Sequence, residues 1–124
     1  EEQFKTVPWI DQIVVIGEGR DFLTALVVPN MEALKTYADT HGIAYKNETD
    51  LLKNEQIQEL YHKEFRAYSK NASAPEKIRD FRLLAEPFTV ENELLTPSLK
   101  AKRKAIEQRY AGLIEDMYAQ YAER

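Results

Sequence analysis

Four cations crowd one short stretch of this chain: Lys100, Lys102, Arg103 and Lys104 follow Leu95-Thr96-Pro97-Ser98-Leu99. Clustered ammonium and guanidinium groups can neutralise phosphate or carboxylate oxygens. A flexible lysine stem lets one compact charge reach across a cleft. Thr96 is a good N-cap, and Pro97 suits the first helical position, where its missing N–H costs nothing. The expected local structure is a long amphipathic helix opening at Thr96, with the four cations in its first two turns. Cations there oppose the helix dipole by a few tenths up to ~1 kcal/mol each. Lys100 and Lys104 add like-charge repulsion at i,i+4. Such a helix start is suited to meeting an anion; on charge alone, a solvated basic face is the plainer account.

Other chemistry-bearing residues form no complete site. His41 and His62 stand twenty-one positions apart without a third ligand at metal spacing, which reads as surface or structural histidine. Ser69, Ser73 and Ser98 lack a nucleophile-elbow context. Gly17-Glu18-Gly19 lacks the third glycine and the Lys-Ser/Thr of a phosphate loop, and a strand follows it instead of a helix. Glu91 and Glu93 fall in a loop with no sign of burial, a poor setting for acid–base work. Arg20 reads as a surface residue at a turn. The seven tyrosines and five phenylalanines follow helical spacing, so they read as core instead of a ligand cage.

The elements that must position these groups follow from periodicity. Gln3 to Pro8 reads as a short helix ending before Pro8. Gln12 to Ile16 and Phe22 to Val28 are strand-like, joined by the turn chemistry of Gly17-Glu18-Gly19-Arg20-Asp21. Met31 to Thr40 reads as a helix closed by Gly42. Asn54 to Asn71 carries Ile57, Leu60, Tyr61, Phe65 and Tyr68 on one helical face, and Ala72-Ser73-Ala74-Pro75 breaks it. Phe81 to Ala85 suits a third strand, followed by a loop from Glu86 to Leu95. Ile106, Tyr110, Leu113, Ile114, Met117 and Tyr121 stripe the last helix. The expected fold is α+β: a small sheet, made of a β-hairpin plus one further strand, packed with helices and ending in a long C-terminal amphipathic helix.

Composition sets the remaining bounds. The 124 residues suit one domain with its own core. A hydrophobic fraction of 44% and a charged fraction of 31% are ordinary for a water-soluble domain. No apolar run approaches the ~20 residues needed to span a bilayer. Zero cysteines exclude disulfides and thiolate metal sites and are compatible with a reducing cytoplasm. The net charge of −4 argues against nucleic acid as the main partner. The opening Glu1-Glu2-Gln3, without methionine, reads as the inside of a helix and hence of a longer chain.

Three segments carry a family resemblance along the whole length. Val14-Val15-Ile16-Gly17-Glu18-Gly19-Arg20-Asp21-Phe22-Leu23-Thr24-Ala25-Leu26-Val27-Val28-Pro29 resembles the hairpin of the C-terminal domain of long-chain fatty-acid–CoA ligases, members of the adenylate-forming superfamily. Ile78-Arg79-Asp80-Phe81-Arg82-Leu83-Leu84 resembles its third strand. Phe88-Thr89-Val90-Glu91-Asn92-Glu93-Leu94-Leu95-Thr96-Pro97-Ser98-Leu99-Lys100 resembles the loop bearing the superfamily's mobile lysine. Many superfamily members have Thr-Gly-Lys there. Ser98-Leu99-Lys100 resembles the long-chain fatty-acyl branch.

The resemblance implies a two-step ligase: fatty acid, ATP and coenzyme A become acyl-CoA, AMP and pyrophosphate. Residues 1–124 would form one C-terminal lid domain that closes for adenylation and rotates for thioester formation. Lys100 matches the lysine inserted for the first step, a role that needs a charged ammonium and not a base. Lys102, Arg103 and Lys104 would attract ATP or coenzyme A phosphates, or pair with carboxylates of the large domain. That N-terminal adenylate-binding domain, the hinge and the expected Mg2+ site lie outside these residues. The fragment alone should therefore bind ATP poorly and catalyse nothing. The implied setting is cytoplasmic, with peripheral membrane contact left open. A second reading stays open: a free-standing α+β interaction module docking an acidic partner through its basic helix start.

Overall fold

The computed structural model describes residues 4, 6–17, 19–20, 22–70 and 77–122. Ala72–Pro75, Glu18, Asp21 and the Tyr121 side chain lie outside the described residues, as does part of the expected helix at Gln3–Pro8.

Three strands make one mixed sheet in the order β1-β2-β3: β1 Ile10–Ile16, β2 Leu23–Pro29 and β3 Ile78–Leu83. β1 and β2 pair antiparallel as the expected hairpin, and β3 runs parallel to β2. A parallel partner needs a long crossover. Helices α1 Met31–Thr40, α2 Glu48–Leu52 and α3 Glu55–Lys70 supply it. The fold is the expected small α+β sheet packed with helices.

β2 explains why the helices fall on both sides. Every residue from Thr24 to Pro29 is buried, and successive strand side chains point to opposite faces. Ala25 and Val27 join Leu34, Leu51, Ile57, Tyr61, Phe65 and Phe81 in one core cluster under α1–α3. Leu26 and Val28 join Val14, Ile16, Phe88, Leu94, Ile106, Ile114 and Met117 in a second cluster on the other face. A register shift between Ile10 and Gln12 adds one residue to β1. It turns Ile10 toward the first cluster while Val14 and Ile16 face the second.

Local signals set the helix ends. The Asn30 side chain accepts from the Ala33 N–H at 3.1 Å and caps α1. Gly42, at φ +67°, closes α1 as expected, and the Ile43 N–H returns to the Ala38 carbonyl. Asn54 accepts from the Gln56 N–H at 2.8 Å and opens α3. Helix α2 was not legible beforehand: it has five residues, too few for a period, although Asn47 caps it by accepting from Asp50 at 2.9 Å.

The C-terminal helix differs from expectation in two ways. It begins at Arg103, not at Thr96, and it is two helices: α4 Arg103–Arg109 and α5 Ala111–Ala122. The break sits at Tyr110, whose φ of −109° leaves the helical range. The apolar stripe survives the break, since Ile106, Ile114 and Met117 all enter the second cluster.

Candidate functional site

The segment from Leu84 to Lys102 leaves β3, crosses the face of the second core cluster and carries Lys100 at its tip. Its start extends the sheet, as the Leu84 N–H reaches the Val27 carbonyl at 2.8 Å. Three side chains, Leu84, Phe88 and Leu94, are buried in the second cluster and pin the segment down. Gln12 of β1 adds a two-armed clamp: its amide donates to the Phe88 carbonyl at 3.0 Å and accepts from the Phe88 N–H at 2.8 Å.

Asn92 organises the middle. Its side chain accepts from the backbone N–H of Thr89 at 2.9 Å and of Leu94 at 3.2 Å, and donates to the Pro87 carbonyl at 2.9 Å. Thr89 reciprocates, its hydroxyl accepting from the Asn92 N–H at 3.0 Å. From α4, Arg109 bridges to Glu86 at 2.9 Å. A polar loop with its backbone groups paired in this way holds one path over the surface.

The tip is pinched shut. Leu95 and Ala101 form an antiparallel bridge, and the Lys102 N–H donates to the Leu94 carbonyl at 2.9 Å. Inside the pinch, the Thr96 N–H donates to the Lys100 carbonyl at 2.8 Å, and the Leu99 N–H to the Thr96 carbonyl at 2.8 Å. The Thr96 hydroxyl accepts from the Lys100 N–H at 3.1 Å and lies 3.1 Å from the Ser98 hydroxyl. Leu99 sits at φ +66° with 70% of its surface exposed. That conformation costs a leucine roughly 1–2 kcal/mol and a glycine almost nothing.

These contacts correct the expectation for Thr96 and Pro97. The Thr96 hydroxyl caps a turn, not a helix; side chains of this type offer the backbone such alternatives. Lys100 is therefore outside any helix, feels no first-turn dipole and shares no helical face with Lys104. Lys100, Lys102 and Lys104 are exposed, whereas Arg103 is half-buried and donates to the Val15 carbonyl of β1. The structure thus leaves three ammonium groups exposed, Lys100 on the loop, Lys102 at the N-cap of α4 and Lys104 in its first turn, and turns the guanidinium inward. α4 has no acidic residue in its first turn and its N-cap, Lys102, makes no side-chain capping bond.

The remaining candidates have structural work. His41 stacks on Tyr37 at 3.9 Å between ring centroids, and His62 meets Phe81 edge-on at 4.9 Å. Among the described residues no three His, Cys, Asp or Glu side chains gather as a metal site. Arg20 is at the surface as expected, yet it pairs with Glu115 at 2.7 Å and lies over the Tyr118 ring. The hydrogen bond from Arg20 holds the Glu115 carboxyl below its usual range. The Tyr118 hydroxyl lies within hydrogen-bond reach of the Ile16 and Phe22 carbonyls, and partial burial pushes its pKa up. Two residues of the site were missed in the sequence. Gln12 gave no signal, being one polar residue in a strand. Asn92 gave one, since Thr89 and Asn92 have the three-residue spacing of reciprocal turn caps.

The small α+β domain thus carries an exposed ammonium, Lys100, on a pinched and clamped loop. By sequence the chain belongs to the AMP-binding enzyme C-terminal domain family, which it matches over residues 1–122. It is 33% identical to fatty acyl-CoA synthetase A of Dictyostelium discoideum, over 98% of this chain and 19% of that protein. It is 34% identical to long-chain-fatty-acid–CoA ligase 5 of Mus musculus, over 86% of this chain and 16% of the mouse protein. Among solved structures, the AMP-bound A-PCP didomain of carboxylic acid reductase from Segniliparus rugosus superposes with a TM-score of 0.66. It shares 33% identity over all of this chain and 16% of its own. The chain thus spans about a fifth or less of the length of the relatives it matches.

Proposed function

We propose that this chain is the C-terminal lid of an ATP-dependent long-chain fatty-acid–CoA ligase, and that Lys100 serves its adenylation step. The observation that carries the reading is the Lys100 loop: rooted in the core, pinched at Leu95 and Ala101, and exposed at its tip. The family match and the fatty acyl-CoA ligases among the relatives support the reaction class. Carboxylic acid reductase is a relative too, so the long-chain choice leans on the Ser98-Leu99-Lys100 variant.

The chemistry is a displacement at phosphorus followed by one at carbon. A fatty-acid carboxylate oxygen attacks the α-phosphate of ATP; the bond to the β-phosphate bridging oxygen breaks and pyrophosphate leaves. The coenzyme A thiol then attacks the acyl carbonyl, loses its proton and expels AMP. In the first step negative charge gathers on phosphate oxygens, and the protein's main task is to position groups and offset that charge. The Lys100 ammonium, on its flexible stem, bridges carboxylate and α-phosphate. Lys102 and Lys104 remain at the surface to draw in the phosphates of ATP or coenzyme A; Arg103 is occupied at Val15. The adenylate-binding domain, the hinge and Mg2+ belong to the rest of the enzyme, in an aqueous, cytoplasmic setting. Among the described residues no helix is long and apolar enough to cross a membrane.

The test is Lys100→Ala in the full-length enzyme, assayed one half-reaction at a time. Fatty-acid-dependent pyrophosphate exchange should fall ~10²–10³-fold, the scale of losing one transition-state donor. Thioester formation from preformed acyl-adenylate should persist. Equal rates in wild type and variant on both arms would make the Lys100 loop a docking surface instead, as in a free-standing interaction module.

A further inference from the structure

The Gln12 clamp lies in the hairpin, far in sequence from the lysine it supports, and the reaction described above assigns it no part. Gln12 sits beside the extra residue of β1, on the side of the sheet that faces the second core cluster. Its primary amide is both donor and acceptor, so one side chain satisfies both backbone groups of Phe88, 76 positions away. Phe88 is a buried anchor of the lysine loop, between Leu84 and Leu94 along the chain. From there the path runs through the Asn92 turn and Leu94 to the pinch at Leu95 and Ala101, with Lys100 beyond it. The later steps are bonded within the loop, with Leu94 buried in the second cluster and Arg109 of α4 reaching Glu86 and the Asn92 carbonyl. Phe88 is where that path is tied to β1 of the sheet.

We propose that Gln12 is a positioning residue for adenylation: by holding the Phe88 backbone it sets the angle at which the loop delivers the Lys100 ammonium. The inference rests on the adenylation role of Lys100. In that cycle the loop faces the reacting phosphates in the first step only, so misplacing it harms one half-reaction and spares the other. Displacements on the order of 1 Å at a reacting group cost up to ~100-fold in rate. A residue that merely holds the fold together would lower both.

The experiment uses the full-length enzyme with Gln12→Leu, which keeps shape but leaves the Phe88 N–H and carbonyl without the amide. Gln12→Glu is the second variant; its carboxylate still accepts from the Phe88 N–H but faces the carbonyl with a second acceptor. Both are assayed at a temperature where circular dichroism shows the native fold. Pyrophosphate exchange should drop about tenfold or more, within the positioning range given above, while thioester formation from preformed acyl-adenylate stays near wild type. An equal fall on both arms, or no fall on either, overturns the proposal. Lys100→Ala runs in parallel. If it collapses exchange while the Gln12 variants keep exchange at the wild-type rate, the positioning role alone fails; if it leaves exchange intact, the lysine reading fails and this one with it.

Discussion

Arg103, at the first turn of α4, donates a hydrogen bond to the Val15 carbonyl of β1, 88 positions earlier in the chain. A run of basic residues thereby divides: its neighbours Lys102 and Lys104 face solvent while Arg103 ties a helix to the sheet. Hydrogen bonds made by charged groups contribute more than neutral ones. Losing this one should cost ~1.5–3 kcal/mol. In urea titrations, Arg103→Ala should shift the midpoint to clearly lower denaturant, and Lys104→Ala should leave it in place. Indistinguishable midpoints would show that Arg103 is as dispensable to the fold as its neighbours.

Leu99 offers a test of backbone strain with almost no burial to confuse it. Its exposed side chain contributes little packing, so substitutions there read the cost of φ +66°. Leu99→Gly should leave stability within about 0.5 kcal/mol, because relief of strain is offset by the extra freedom of glycine in the unfolded chain. Leu99→Val should lose about 1 kcal/mol, as branching at Cβ crowds a left-handed backbone further. Equilibrium unfolding of the three proteins decides it; a valine variant as stable as wild type would mean the turn relaxes.

The Arg20–Glu115 pair gives the acid side of the stability profile. Arg20 lowers the Glu115 pKa, chiefly through the hydrogen bond and against slight desolvation. A carboxyl whose folded pKa is depressed adds stability above its unfolded value, ~4.3, and loses it as pH falls through the folded value. Glu115→Gln should therefore differ from wild type by a steady amount between pH 5 and 8, and the gap should close below about pH 4. The gap should also shrink in high salt, since the pair is exposed. A gap that persists at pH 3 would trace it to packing. Glu59, lowered by Arg66 in the same direction, keeps its own share of the acid dependence in both proteins.

Most of the framework could be read from residue types because local and global preferences agree there. The hairpin strands and the Gly42 stop each have one strong local reason, and packing ratifies it. The unbroken burial of β2 shows in its continuous Leu26-Val27-Val28 run, which suits a strand covered on both faces. The lysine loop was misjudged because Thr96 and Pro97 are equally good at opening a helix and a turn. The hydrogen bond from the Lys102 N–H to the Leu94 carbonyl and the bridge between Leu95 and Ala101, which close across the tip, go with the turn. The sequence singles out Lys100 through its motif, and the structure puts it in the exposed part of the loop. Gln12 was not, since its partner is 76 positions away and nothing local marks it.

The bridge between Leu95 and Ala101 has an evolutionary consequence. Because the two ends of the tip are joined to each other, the residues between them form a replaceable cassette. Pro97, Ser98 and Leu99 are exposed and lie outside both core clusters, so exchanging them for another turn, with or without glycine, leaves the packing of those clusters in place. Selection can then vary what surrounds the lysine while the packing of the two clusters stays as it is.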